Sequence, residues 1–231
     1  MSKYKHILFD LDHTLWDFEK NATETLCELY ENFQLTSLGN FSVQEFCQTF
    51  HRVNHHLWAL HQQGAYEQSK LRSDRFKKIF SELGVAETLV PHSIQDEYLR
   101  ICPSKPHVFP FTHDILEYLK ERYQLHIVTN GFSDVQHIKL KSARLTDYFT
   151  HIVTSDGADL RKPRPGIFKH LLELIGADVS ECIMIGDNLL TDIAGAHNAN
   201  IDCIYFNPNK VSHRTRTTYE IYCLSELKGI L

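Results

Sequence analysis

The sequence predicts an α/β protein: an open parallel sheet with helices on both faces, interrupted after its first strand by an all-helical insert. Three observations carry that expectation. Short apolar runs alternate with helix-period segments through the second half of the chain, the pattern of βαβ units. Four helical patterns without a strand separate the first apolar run from the others. The apolar runs also end in polar residues, and the carboxyl ends of parallel strands are where such sheets collect ligands.

Taken in order, HILF opens the chain and ends in DLDHT, as a buried parallel strand does. From about Asn21 to about Cys102, four segments space their apolar residues by three and four: TETLCELYENF, FSVQEFCQTFHRVNHHLWALHQQ, SKLRSDRFKKIFSEL and ETLVPHSIQDEYLRI. Pro103, Pro106 and Pro110 then forbid a continuing helix. Beyond them the strands read QLHIVTNG, HIVTSD, ECIMIGD and DCIYFN, with helices near 112–122, 133–145, 165–175 and 189–199. A final YEIYCL and SELKGIL add an edge strand and a terminal helix.

Composition narrows the functional class. With 24 Lys and Arg against 29 Asp and Glu the formal charge is −5, and no basic run marks a surface for a nucleic acid polymer. No apolar stretch reaches the length of a membrane span, and MSKYKHILFD carries no leader-type apolar region, so a cytoplasmic protein is expected. Six cysteines without a CxxC pair read as reduced core residues. His51 and His55, one helical turn apart, lack a partner carboxylate or thiol in zinc-like spacing and read as an ordinary helix face.

Four strand ends carry the candidate chemistry: Asp10 with Asp12, Thr129 with Asn130, Asp156, and Asp187. A carboxylate ending one strand is common, because aspartate favours turns and caps. Acidic strand ends, a hydroxyl strand end and a lysine followed by prolines, in this order, are harder to attribute to capping. The set resembles the four motifs of the haloacid dehalogenase superfamily: DLDHT matches DxDxT, Thr129 in VTNG the second motif, Lys162 in RKPRPGIF the third, and GDNLLTD the fourth.

The resemblance implies a Rossmann-like core over residues 1–16 and 104–231, with a small all-helical cap domain over residues 17–103. It implies a Mg²⁺-dependent phosphatase acting on a small phosphorylated metabolite. Asp10 is then the nucleophile that forms an aspartyl-phosphate, and Asp12, two residues on in extended chain, the general acid and base. Thr129 and the backbone N–H groups of Asn130 and Gly131 would hold phosphate oxygens, and Lys162 would neutralise the nucleophile and the moving phosphoryl group. Asp10, the Asp12 carbonyl and Asp187 would hold the metal, while Asp192 orients a metal-bound water or Lys162. The alternatives to these roles are a first-turn helix aspartate for Asp192, the less favoured reading, and a simple cap for Thr129. Arg161 and Arg164 read as surface residues, and Gly157 as a loop turn.

FDLDHTLWDFEKN, LRSDRF and VTNGFSDVQ bring the chain nearest to the pyrimidine 5′-nucleotidase family within this class, implying nucleoside 5′-monophosphates, pyrimidine ahead of purine. On that reading Trp16 stacks on the base, against the alternative that it packs in the core; Trp58 reads as a cap-helix packing residue. Arg72 and Arg75 either meet substrate or pair with Asp74 and Glu67 on a solvated face. A dehalogenase would need no acid at Asp12. A phosphatase or phosphomutase on sugar phosphates shares the motifs, and a non-catalytic phosphate-binding regulator would be expected to lack the acid or the lysine, both present here.

Overall fold

A computed structural model describes residues 3–155 and 160–231. The chain divides into two compact units, one formed by Met1–Phe18 and Pro106–Leu231, the other by Glu19–Lys105.

The first unit carries a six-stranded, wholly parallel sheet: β1 (His6–Phe9), β2 (Gln124–Thr129), β3 (His151–Thr154), β4 (Cys182–Gly186), β5 (Asp202–Phe206) and β6 (Tyr219–Ile221). Their spatial order is β3-β2-β1-β4-β5-β6. From β1 the chain moves outward to β2 and β3, then returns to the other side of β1 and continues to β5 and β6. The crevice between β1 and β4 is therefore the point where the winding reverses, the place such sheets leave open for ligands. Register puts Phe9 opposite Ile185, so Asp10 and Asp187 leave the sheet side by side.

Burial on both faces explains why these strands are continuous apolar runs rather than alternating ones. On one face Leu8, Val128, Val153 and Met184 pack with Ile167, Phe168 and Leu171 of α7 (Gly166–Ile175) and Ala196 of α8 (Ala194–Asn198). The intervening Ile7, Phe9, Ile127, Ile183 and Ile185 are equally buried. Two further helices belong to this unit, α5 (Thr112–Lys120) and α6 (Ser133–Ser142). Three endings differ from expectation. The helix sought near 189–199 opens as a π-helical turn over Leu189–Ile193, the SELKGIL helix is a 3₁₀ segment over Leu224–Gly229, and only Tyr219–Ile221 of YEIYCL is strand.

The second unit is helical: α1 (Phe18–Asn32), α2 (Val43–Gln62), α3 (Gln68–Glu82) and α4 (Ile94–Ile101). Ser42 starts α2 through a reciprocal cap, its hydroxyl accepting from the Glu45 N–H while Glu45 accepts from the Ser42 N–H. Phe41, Phe46, Phe50, Phe76, Phe80 and Tyr98 form its aromatic core. ETLVPHSIQDEYLRI, expected as one helix, is broken: Pro91 forces Val90 into extended backbone, and helix resumes only at Ile94.

A row of imidazoles crosses the sheet toward the amino-terminal ends of its strands, opposite the candidate site. His6 and His126 approach to 3.2 Å through Nδ1 and Nε2, and the His126 and His151 rings stack at 5.5 Å. Burial, with His6 and His151 adding repulsion, lowers His126 to about 4. An unfolded histidine titrates near pH 6.5, so the unfolded chain binds the extra proton first; this contribution is complete above pH ~6.5 and is lost as pH falls toward 4. The denaturation midpoint in urea should decline over that window, and less steeply in His126→Met; equal slopes would remove His126 as the cause.

Candidate active site

Lys162 is buried at 1% exposure where β1, β2 and β4 end. Its Nζ lies 2.5 Å from Asp10 Oδ1 and 2.7 Å from Asp192 Oδ1, and donates to the Val128 carbonyl at 2.6 Å. Asn130 clasps the lysine backbone from both sides: its Oδ1 accepts the Lys162 N–H at 2.8 Å and its Nδ2 donates to the Lys162 carbonyl at 2.9 Å. Burial opposes the lysine charge, but Asp10 and Asp192 outweigh it and raise its pKa.

Asp192 reaches this lysine because residue 186 is glycine. A Cβ on Gly186 would sit 2.3 Å from Asp192 Oδ2. That oxygen accepts the Asn188 N–H at 3.0 Å, so the carboxylate is tied to its own turn as well as to Lys162. Asp187 accepts from the Thr14 hydroxyl at 3.0 Å, which links the last residue of DLDHT to the strand end across the crevice.

Asp10, Asp187 and Asp192 each place a carboxylate oxygen within 4.8 Å of the others. Burial pushes Asp10 well above the usual aspartate range against the pull of Lys162, with Asp192 and Asp187 adding to the rise. Burial, then the charge of Asp192, carries Asp187 up to about 8. One ammonium thus leaves the cluster short of positive charge, and an all-oxygen donor set in that state fits a hard divalent cation. Asp10 and Asp187 are the members suited to it, since both oxygens of Asp192 are already engaged, Oδ1 by Lys162 and Oδ2 by the Asn188 N–H.

Asp12 has a separate set of partners. Lys139 Nζ lies 2.6 Å from its Oδ1, and Gln136 Nε2 donates to its Oδ2 at 2.9 Å. Burial would raise this carboxyl, but Lys139 and Gln136 outweigh it and hold it below the ordinary range. Gln136 Nε2 also donates to Thr129 Oγ1 at 2.8 Å. Gln136 closes the VTNGFSDVQ segment without being given a role there, and Lys139 lies in none of the motifs. The available signal was their spacing: with Leu140 they form the buried face of α6, where a helix normally places apolar residues.

Three expectations change. Trp16 is wholly buried, its ring 4.6 Å from Lys139 Nζ and edge-on to Phe18 at 6.1 Å, while its backbone bridges to Asp12 and Val108. A ring enclosed this way packs the core and presents no face to a base. The Gly131 N–H, sought as a phosphate donor, donates to Thr129 Oγ1 at 3.0 Å. Arg75 meets neither Asp74 nor Glu67; it is buried in the helical unit, bonded to Asn54 and Gln95 and 4.5 Å from the Tyr98 ring centroid. Asp156 and Gly157 lie outside the described residues.

The family described as haloacid dehalogenase-like hydrolase matches residues 4–200. The chain belongs to that family. Within these hydrolases it is 30% identical to pyrimidine 5′-nucleotidase PynA of Streptococcus pneumoniae, covering 99% of this chain and 95% of the relative. It is 29% identical to pyrimidine 5′-nucleotidase YjjG of Escherichia coli, covering 99% and 98%. A crystal structure of the putative HAD-hydrolase YfnB from Bacillus subtilis bound to magnesium superposes with a TM-score of 0.88 at 26% identity, covering 99% of both chains.

If Trp16 is a packing residue of this hydrolase, Trp16→Ala should lower unfolding free energy by about 3–5 kcal/mol. Trp16→Phe, which keeps most of the ring contact, should leave the ratio of turnover on a nucleotide to that on a small aliphatic phosphate unchanged. A selective loss on the nucleotide would restore the stacking role.

Proposed function

We propose that this hydrolase is a Mg²⁺-dependent phosphomonoesterase that works through an aspartyl-phosphate on Asp10, with nucleoside 5′-monophosphates as substrates and pyrimidines preferred. The observation that carries the reading is the position of Asp10: a buried carboxylate at the reversal point of the sheet, bonded to Lys162 and converging with Asp187 and Asp192. The two pyrimidine 5′-nucleotidase relatives, alike over nearly the whole chain, support the substrate class.

In this mechanism an Asp10 oxygen attacks phosphorus while the bond to the leaving oxygen breaks, and Asp12 gives that oxygen its proton. Water then attacks the phosphoryl group and passes a proton to Asp12. The bond between phosphorus and Asp10 breaks, releasing inorganic phosphate. Lys162 holds Asp10 in place and balances charge through both steps. Thr129 Oγ1 accepts from Gln136 and Gly131, which leaves its own hydrogen to donate to a phosphoryl oxygen. Mg²⁺, held by Asp10, the Asp12 carbonyl and Asp187, would supply the remaining positive charge.

Phosphate release from a panel of nucleotides, sugar phosphates and small phosphorylated acids tests the assignment. Pyrimidine 5′-monophosphates should lead, with phosphate freed rather than transferred to a second hydroxyl. Activity should vanish in EDTA, return with Mg²⁺ and be absent in folded Asp10→Asn. Substantial turnover by Asp10→Asn excludes the covalent route. Sugar phosphates turned over about ten times better than any nucleotide, a difference of roughly 1.4 kcal/mol in transition-state stabilisation, would leave only the phosphatase reading.

A further inference from the structure

Asp12 must meet the leaving oxygen at one angle to transfer a proton, yet an aspartate side chain at a strand end has free rotamers. Here both carboxylate oxygens are taken. Lys139 engages Oδ1 at 2.6 Å, and the Gln136 amide engages Oδ2 at 2.9 Å while also bonding Thr129 Oγ1 at 2.8 Å. We propose that Gln136 and Lys139 are positioning residues for catalysis: they lock Asp12 in one orientation and tie it to Thr129, so the proton donor and the phosphoryl-binding hydroxyl act as one rigid unit.

Two features separate this from ordinary packing. Gln136 is fully buried, and its Oε1 has no hydrogen-bond partner. Leaving a buried carbonyl unmatched costs about 1–3 kcal/mol, so a leucine or methionine would serve a purely structural position better. Flipping the amide would let Oε1 accept from the Thr129 hydroxyl but would set it 2.9 Å from the Asp12 carboxylate oxygen, acceptor against acceptor, and would orphan the amide N–H groups instead. The turn after β2 also makes room for this side chain: a Cβ on Gly131 would fall 1.8 Å from Gln136 Nε2. Lys139, at 6% exposure, is pinned between Asp12 and the faces of Trp16 and Phe18, at 4.6 and 6.0 Å from the ring centroids. The buried Trp16 thus serves the site indirectly, as the floor that aims the ammonium at Asp12.

The inference rests on the phosphatase reading, with Asp12 as proton donor. The test compares an alkyl phosphate, which needs its leaving oxygen protonated, with p-nitrophenyl phosphate, which does not. Near-isosteric Lys139→Met and Gln136→Met should each lower kcat/KM, which reports the step in which the leaving oxygen departs and not the later hydrolysis common to both esters, by about tenfold to a hundredfold on the alkyl ester and far less on p-nitrophenyl phosphate. Lys139→Arg should recover much of the loss. Circular dichroism establishes that each variant is folded; should Lys139→Met unfold, Gln136→Met and Lys139→Arg carry the same comparison. Equal losses on both esters, or no loss on the alkyl ester, overturn the positioning role while leaving the phosphatase intact. A wild-type chain inert toward both esters fails one step earlier and overturns the phosphatase reading itself.

Discussion

The site depends on one buried ammonium. Lys162 faces Asp10 on one strand end and Asp192 on the turn after another, with its third bond to the Val128 carbonyl, so every donor it has is used. Removing such a partner leaves buried carboxylates uncompensated, a loss of about 3–5 kcal/mol, whereas the intact pair need contribute little net stability. What the interaction secures is geometry. Asp10 cannot turn away from the crevice without abandoning the charge that makes its burial tolerable.

Much of the local backbone follows from keeping that lysine in place. Asn130, expected to offer its backbone to phosphate, uses its side chain to hold the Lys162 peptide from both sides. Gly186 is small because Asp192 must lie against it. Neither residue has to touch substrate to matter. Parallel topology makes the convergence possible, since β1, β2 and β4 all end on the same edge of the sheet and β1 and β4 meet where the winding reverses.

Strand ends and motif order were readable in the sequence because they are local: an apolar run, then a polar residue whose type betrays its chemistry. Asp10, Asp12, Thr129, Lys162, Asp187 and Asp192 fall in that class. Gln136 and Lys139 did not, because polar residues three apart on a helix normally mark its wet side, and only tertiary packing shows that this face is the dry one. Trp16 failed in the opposite direction. An aromatic just past a catalytic strand is compatible with both a substrate face and a core, and the contacts that decide between them come from α6, more than a hundred residues away. Pro91 encodes the break in this segment locally, although the apolar spacing runs on through it.

Two aspartates separated by one leucine have been pushed in opposite directions. Asp10 lies well above the ordinary aspartate range, through burial and its acidic neighbours, and Asp12 lies below it, because Lys139 and Gln136 outweigh burial. On the proposed mechanism a nucleophile should be ionised and a general acid protonated, so bound charge would have to reverse both directions. A divalent cation beside Asp10 and Asp187 favours their ionised forms. A phosphate ester brought against Asp12 would add negative charge beside it and raise that carboxyl toward the protonated state. The same two residues would then exchange electrostatic roles on binding, which on the proposed mechanism would confine proton donation to the loaded site.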